Sequence, residues 1–184
     1  MRKIIVSNYV SLDGFFEGAN KEIDWFTRDE SLFEYGRQLL NEVDIILFGR
    51  VTYQMMAAFW PNAIDEDAVI THKMNHLPKI VFSKTLKRAK WNNAIIAKSN
   101  LSKEVKSLKE QSGKDIVIFG SGTLVTQLTQ LGLIDEYRMI INPLILGKGN
   151  PMFKEIDDKI NLRLMDAKVF KSGVVILYYA PVKK

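Results

Sequence analysis

Two short runs, Val43-Asp44-Ile45-Ile46-Leu47-Phe48 and Asp115-Ile116-Val117-Ile118-Phe119, are almost wholly apolar, and each stops at a glycine, Gly49 or Gly120. A strand with one wet face alternates polar and apolar residues, so four or five apolar residues in succession mark strands covered on both sides. That cover comes from helices on the two faces of a mainly parallel sheet. The rest of the chain supplies them. Leu32, Phe33, Gly36, Leu39 and Leu40 recur at helical spacing over residues 29–42, and Val51, Met55, Met56 and Phe59 predict a second helix stopped by Pro61. Asp65 is placed to cap a third helix that ends before Pro78, a charged helix spans 102–111, and Leu124, Val125, Leu128 and Leu131 line a fifth helix closed by Gly132.

Strands are predicted at 3–10, 79–83 and 94–98, alternating with these helices. The last third changes character. Segments 134–141, 160–170 and 174–180 read as strands without intervening helical periods, and Lys171-Ser172-Gly173 is a three-residue hairpin connection. The expected fold is therefore α/β, a mainly parallel central sheet flanked by helices and extended by antiparallel C-terminal strands. No repeat or linker-like tract interrupts it, so the 184 residues form one domain.

Composition narrows the chemistry. With no Cys, thiolate zinc sites, iron–sulfur clusters and a cysteine nucleophile are excluded. His72 and His76 are the entire imidazole supply; they stand four apart on a predicted helix without a zincin Glu, so no metal is expected. No apolar run approaches the roughly 20 residues that cross a bilayer, and the N-terminus reads as a strand in a cytoplasmic protein. Residues 1–78 carry 7 Lys and Arg against 12 Asp and Glu, while 79–184 carry 19 against 9. The basic half favours an anionic partner, whether nucleic acid, an acidic surface or a phosphorylated small molecule, and reads equally as a solvated basic face. Its cations are scattered among apolar residues, without a basic tail or aromatic interleaving, and no nucleic-acid partner is expected.

The two glycine-ended strands each run straight into a helix, as Gly49-Arg50-Val51-Thr52 and Gly120-Ser121-Gly122-Thr123. A helix N-terminus offers unpaired N–H donors and about half a unit of positive charge, and glycine lets a phosphate approach the backbone. Two such junctions suit a pyrophosphate. Singly, each glycine could equally serve a tight turn.

These junctions, taken with Ser11-Leu12-Asp13-Gly14, Asp24-Trp25, Phe82-Ser83-Lys84 and Pro143-Leu144-Ile145-Leu146-Gly147-Lys148-Gly149, occur in an order that resembles the RibD C-terminal, dihydrofolate-reductase-like family over nearly the whole chain. The resemblance implies a dihydrofolate-reductase fold, an NADPH site, and reduction of a pterin-like or aminopyrimidine heterocycle of the riboflavin-precursor type. By motif, Gly49, Arg50 and Thr52 would hold the cofactor from one junction, and Gly120, Ser121, Gly122 and Thr123 would cradle the pyrophosphate from the other. Ser83 and Lys84 would lie by the adenosine ribose and its 2′-phosphate. Residues 11–14 would close over the nicotinamide, and Trp25 would wall the substrate pocket.

The family's acidic residue, counted from Trp25, falls on Glu30, with Asp29 beside it and Asp13 as a further candidate. These are the candidate proton donors or substrate anchors. Asp29 and Glu30 also suit a helix N-terminus, and Asp13-Gly14 a turn. Phe59 and Trp60 read as core residues or as the border of a flat substrate. Together these features predict an NADPH-dependent reductase, with a nucleotide-binding or sensory module that lacks turnover as the alternative. The C-terminal strands leave an edge to cover, and the resemblance points to a homodimer.

Overall fold

The structure is a computed structural model and describes residues 1–182. The first strand, β1 (Ile4–Ser11), is followed by a short strand β2 (Phe15–Glu17) and helix α1 (Glu30–Glu42). Next come β3 (Val43–Gly49), α2 (Arg50–Phe59), a single 3-10 turn (Trp60–Asn62) and α3 (Ala68–His76). The middle of the chain supplies β4 (Lys79–Phe82), β5 (Ala94–Ile96), α4 (Leu101–Glu110), β6 (Asp115–Ile118) and α5 (Gly122–Gln130). The last third is β7 (Glu136–Asn142), β8 (Asn150–Pro151), β9 (Leu162–Val169) and β10 (Val175–Pro181).

Eight of these strands form one sheet in the order β5-β4-β3-β6-β1-β7-β10-β9. Pairings from β5 through β7 are all parallel; β10 alone runs against its neighbours β7 and β9. The antiparallel part is thus narrower than the sequence suggests, because β7 joins β1 in parallel after the helical crossover of α5. The apolar runs behave as read. Ile46, Leu47, Phe48, Ile116, Val117 and Ile118 are fully buried. One face of the sheet packs with α1, α2 and α3 through Leu32, Leu39, Tyr53 and Met74, and the other with α4 and α5 through Val105, Leu108, Val125 and Leu128.

Capping follows local chemistry with one correction. Asp29 accepts from the Leu32 amide at 2.9 Å and Asn100 from the Lys103 amide at 2.9 Å. At α3 the cap is Asp67, which accepts from Ile70 at 2.9 Å, rather than Asp65; the intervening residues are spent in a turn. The C-terminal hairpin closes as expected, with Phe170 and Val174 paired at 2.9 Å and Gly173 at φ +86°.

The two-residue strand β8 pairs with β2 in a separate ribbon that no hydrophobic periodicity announced. It folds the loop after β1 onto the loop after β7.

Candidate functional site

In a parallel sheet the strands end together, and the helices that follow begin there. The carboxyl ends of β1, β3, β4, β6 and β7 define this edge, where ligands of open α/β sheets bind. Three helices, α1, α3 and α4, have a side chain capping their first turn. The other two do not. Both α2, preceded by Gly49, and α5, preceded by Ser121, begin without a side-chain cap, and these are the two glycine junctions. The N–H donors of two first turns therefore stay free at one edge of the sheet, and the residues present fit an anionic pyrophosphate there.

The two junctions are tied together. Gly49 N–H donates to Ser121 Oγ at 3.0 Å, and Ser121 N–H donates to Thr52 Oγ1 at 2.9 Å. Gly120 and Ser121 are both left-handed, at φ +56° and +58°, so the chain turns sharply out of β6 into α5, with the Gly120 amide taken by Asn8 and the Ser121 amide by Thr52. A side chain on Gly120 would meet Thr52 Cγ2 at 2.9 Å. One on Gly122 would meet the Phe16 ring at 2.9 Å, so this glycine is needed for contact with β2 and not only for approach by a ligand.

Asn8 is the residue that sequence reasoning missed. Backbone pairing of β1 with β6 stops at Val6 and Ile118. Two residues further on, the Asn8 side chain takes over, accepting from Gly120 N–H and donating from Nδ2 to Gly120 O at 3.0 Å. Its advance signal is slight, an amide next to Ser7 in the middle of a strand that begins and continues apolar.

The other candidates distribute as follows. Arg50 and Thr123 are exposed beside the junctions, and Arg50 donates to Gln54 at 3.0 Å. Thr52 is buried, with its hydroxyl committed to Ser121. Ser83 Oγ accepts from Leu86 N–H at 2.8 Å and Thr85 N–H at 3.1 Å, shaping the turn after β4, and Lys84 is exposed on that turn. Phe59 and Trp60 lie at the far end of α2, about 15 Å along the helix axis from its start. There Trp60 donates to Met56 Sδ at 3.1 Å and its carbonyl accepts from Asn75 at 2.9 Å, so the structure separates this pair from the glycine junctions.

Trp25 is half-buried and set edge-on to Phe26, which in turn stacks on Tyr9. Burial and then the charge of Asp29 push the Tyr9 phenol up to about 12. Asp29 itself is held below the usual carboxylate range, first by the Ser172 hydroxyl and then by the Leu32 amide. Glu30 points outward, with its side chain 79% exposed and paired to Arg37, which also binds Glu34 and Asp67. Asp13 accepts from Leu146 N–H at 3.0 Å and Gly147 N–H at 2.8 Å, and hydrogen bonds from Ser11 and these amides pull its carboxyl down to about 2. Asp13 and Asp29 are thus held as acceptors, and Asp13 fastens the loop after β1 to the loop after β7.

The class defined by this arrangement is a dihydrofolate-reductase-like α/β domain with two uncapped helix N-termini at the carboxyl edge. Within that class, the chain belongs to the RibD C-terminal domain family, whose sequence model matches residues 2–176. It is 37% identical over 180 residues to YyaP of Bacillus subtilis (strain 168), itself uncharacterized, covering 97% of this chain and 94% of that one. Among solved structures it is similar in fold to a pyrimidine reductase-like protein from Corynebacterium diphtheriae, at TM-score 0.69 and 16% identity over 100% of this chain and 93% of that one. It is similar also to a dihydrofolate reductase from Enterococcus faecalis in complex with NADP(H), at TM-score 0.66 and 12% identity over 98% and 97%. No helix among the described residues is long and apolar enough to cross a membrane.

Proposed function

We propose that the chain is an NADPH-dependent reductase of a planar nitrogen heterocycle, of the pterin or aminopyrimidine type. The observation that carries this reading is the pair of uncapped helix N-termini, laced through Ser121 and Thr52 at one sheet edge. The free amides of α2 and α5 would hold the pyrophosphate; Arg50 and Lys84, both exposed, would take the 2′-phosphate. Bound NADPH supplies the hydride. The chain orients the acceptor against it, with Asp29 as the anchor for an N–H group and the Asp13-fastened loop excluding water. Neither Asp13 nor Asp29 is held as an acid, so the proton comes from solvent or from Glu30 once its Arg37 pairing is broken. Oxidation of NADPH, followed as NADP+ formed, in the presence of dihydropterins and aminopyrimidines tests the reading. No cofactor binding would defeat it.

The same held-down carboxylates favour a second reading, a nucleotide-binding module without turnover. Tight NADPH binding with no oxidation by any heterocycle would select it.

Two copies would associate through the C-terminal wing. Met139 and Ile141 of β7, Val175, Leu177 and Tyr179 of β10, and Leu162, Leu164, Ala167 and Val169 of β9 share one face by register. On β9 this face is bare, with Leu164 51% and Val169 79% exposed. A second copy is the occupant that buries it symmetrically.

A further inference from the structure

The stretch between β2 and α1 contains no strand or helix. It is held at its ends, by Gly18 N–H donating to Glu22 O at 2.9 Å and by Thr27 N–H donating to Asn142 Oδ1 at 2.8 Å. Between these ties Phe26 lies flat on Tyr9, with ring centroids 4.5 Å apart and planes inclined by 14°. Flat stacking is how a conjugated ligand engages an aromatic side chain. Among the described residues the ring neighbours of Phe26 are Tyr9 and Trp25, and Phe26 packs into neither core cluster, whereas Tyr9 is anchored on the core beneath α1. Tyr9 projects from the carboxyl half of β1, and the Asp29 charge raises the pKa of its phenol. A fixed aromatic plane, followed three residues after Phe26 by the Asp29 carboxylate at the start of α1, matches an amino-substituted planar heterocycle, and a side chain from a loop now covers that plane.

Resting on the reductase reading, we infer that Tyr9 is the stacking platform for the planar acceptor and that Phe26 is its resident occupant, displaced when the acceptor binds. Phe26 rests on Tyr9 and Trp25 and packs into neither core cluster, so its ring leaves at the cost of the stack on Tyr9 and the edge contact with Trp25. The acceptor replaces that stack and adds a charge-assisted hydrogen bond to Asp29. A ligand that must first displace a resident binds with its affinity reduced by the fraction of molecules in the open state.

The experiment titrates 2,4-diaminopteridine into the parent, Phe26→Ala and Tyr9→Leu proteins, with and without saturating NADPH, following tryptophan fluorescence. Melting curves confirm that each variant is folded, and Tyr9→Phe keeps the platform if Tyr9→Leu does not fold. Phe26→Ala should bind the pteridine roughly threefold to tenfold more tightly, the reciprocal of one lost stack. Tyr9→Leu should bind it at least tenfold more weakly, and Tyr9→Phe about as the parent does. Weaker binding by Phe26→Ala would make Phe26 a wall of the pocket and overturn the inference, as would equal binding by all variants or none by any. The arm without NADPH separates the two readings: failure of NADPH to bind removes the reductase, while the order of pteridine affinities still decides the platform.

Discussion

Ser121 is joined to both partners of the opposite junction, receiving the Gly49 amide on its hydroxyl at 3.0 Å and giving its own amide to Thr52 Oγ1 at 2.9 Å. Residues far apart in the chain thereby become one rigid edge. The left-handed Ser121 carries a backbone conformation that side-chain-bearing residues adopt at a cost, and the two hydrogen bonds hold it there. Thr52→Val leaves the buried Ser121 amide without an acceptor and should destabilise the fold by about 1–3 kcal/mol in urea unfolding. It should also weaken NADPH binding about tenfold by fluorescence titration, because the α5 amides lose their aim. Unchanged NADPH affinity in Thr52→Val would show that the lacing serves stability alone.

Gly122 has a closer neighbour than any phosphate. Because a Cβ there would sit 2.9 Å from the Phe16 ring, Gly122→Val should push β2 off α5 and abolish NADPH binding while the remaining core keeps the domain folded. Combining it with Phe16→Ala should restore part of the affinity if the ring is the obstacle. A double variant as inactive in binding as Gly122→Val would place the clash on the cofactor itself.

The strands, helices and glycine junctions were legible because each is written in consecutive residues: unbroken apolar runs for β3 and β6, helical spacing for α1 and α5, and Gly at the turn of the 171–173 hairpin. What was not legible depends on partners distant in sequence. Asn8 looks like an interruption of β1 until Gly120 is brought against it, and the bond from Ser121 N–H to Thr52 Oγ1 exists only once the two junctions are side by side. Asp29 and Glu30 are adjacent, yet one turns inward to cap α1 and meet Ser172 while the other turns outward to Arg37, a divergence set by helix geometry. Pairing of β2 with β8 joins segments too short to carry any period.

Cofactor preference should follow the sign of the local field. Arg50 and Lys84 are exposed cations, and the chain has no Asp or Glu from residue 80 to 102. NADPH should bind at least tenfold more tightly than NADH, with Arg50→Ala and Lys84→Ala each removing part of the ratio and the double variant bringing it near one. Titrations at fixed ionic strength give the ratio. A preference that survives both substitutions would assign the 2′-phosphate to other groups.

The bare wing predicts a self-association that one charge can break. Leu164 lies on the face shared with Leu177 and Tyr179 and is 51% exposed in the single chain, so Leu164→Arg costs the monomer little while placing two like charges in a symmetric contact. Light scattering should give twice the chain mass for the parent at micromolar concentration and the single-chain mass for Leu164→Arg. A monomeric parent would leave the wing without this partner.

Lys79 offers a prediction independent of any ligand. Its side chain is fully buried, with Nζ donating to the carbonyls of Leu77 at 2.7 Å, Asn92 at 3.1 Å and Asn75 at 3.2 Å and lying 4.4 Å from the centroid of the Trp91 ring. These acceptors belong to the end of α3 and to the turn before β5, which the ammonium pins together. Burial pulls its pKa down to about 8 from the ordinary 10.5. Between those values the unfolded chain holds the proton and the folded chain releases it, so the Lys79 contribution makes stability rise with pH. The full effect is on the order of 3 kcal/mol, reached above about pH 10.5. Tyr9, Tyr35, Tyr137 and Tyr178 work in the opposite sense, because burial raises each phenol and the unfolded chain loses those protons first, above about pH 10. The window from about pH 8 to 9.5 therefore isolates the lysine. Lys79→Met should unfold at lower urea at pH 7, since three buried carbonyls lose their donor, and its stability should lack the rise across that window that the parent shows. Parallel pH profiles for the two proteins would mean that Lys79 keeps its proton throughout.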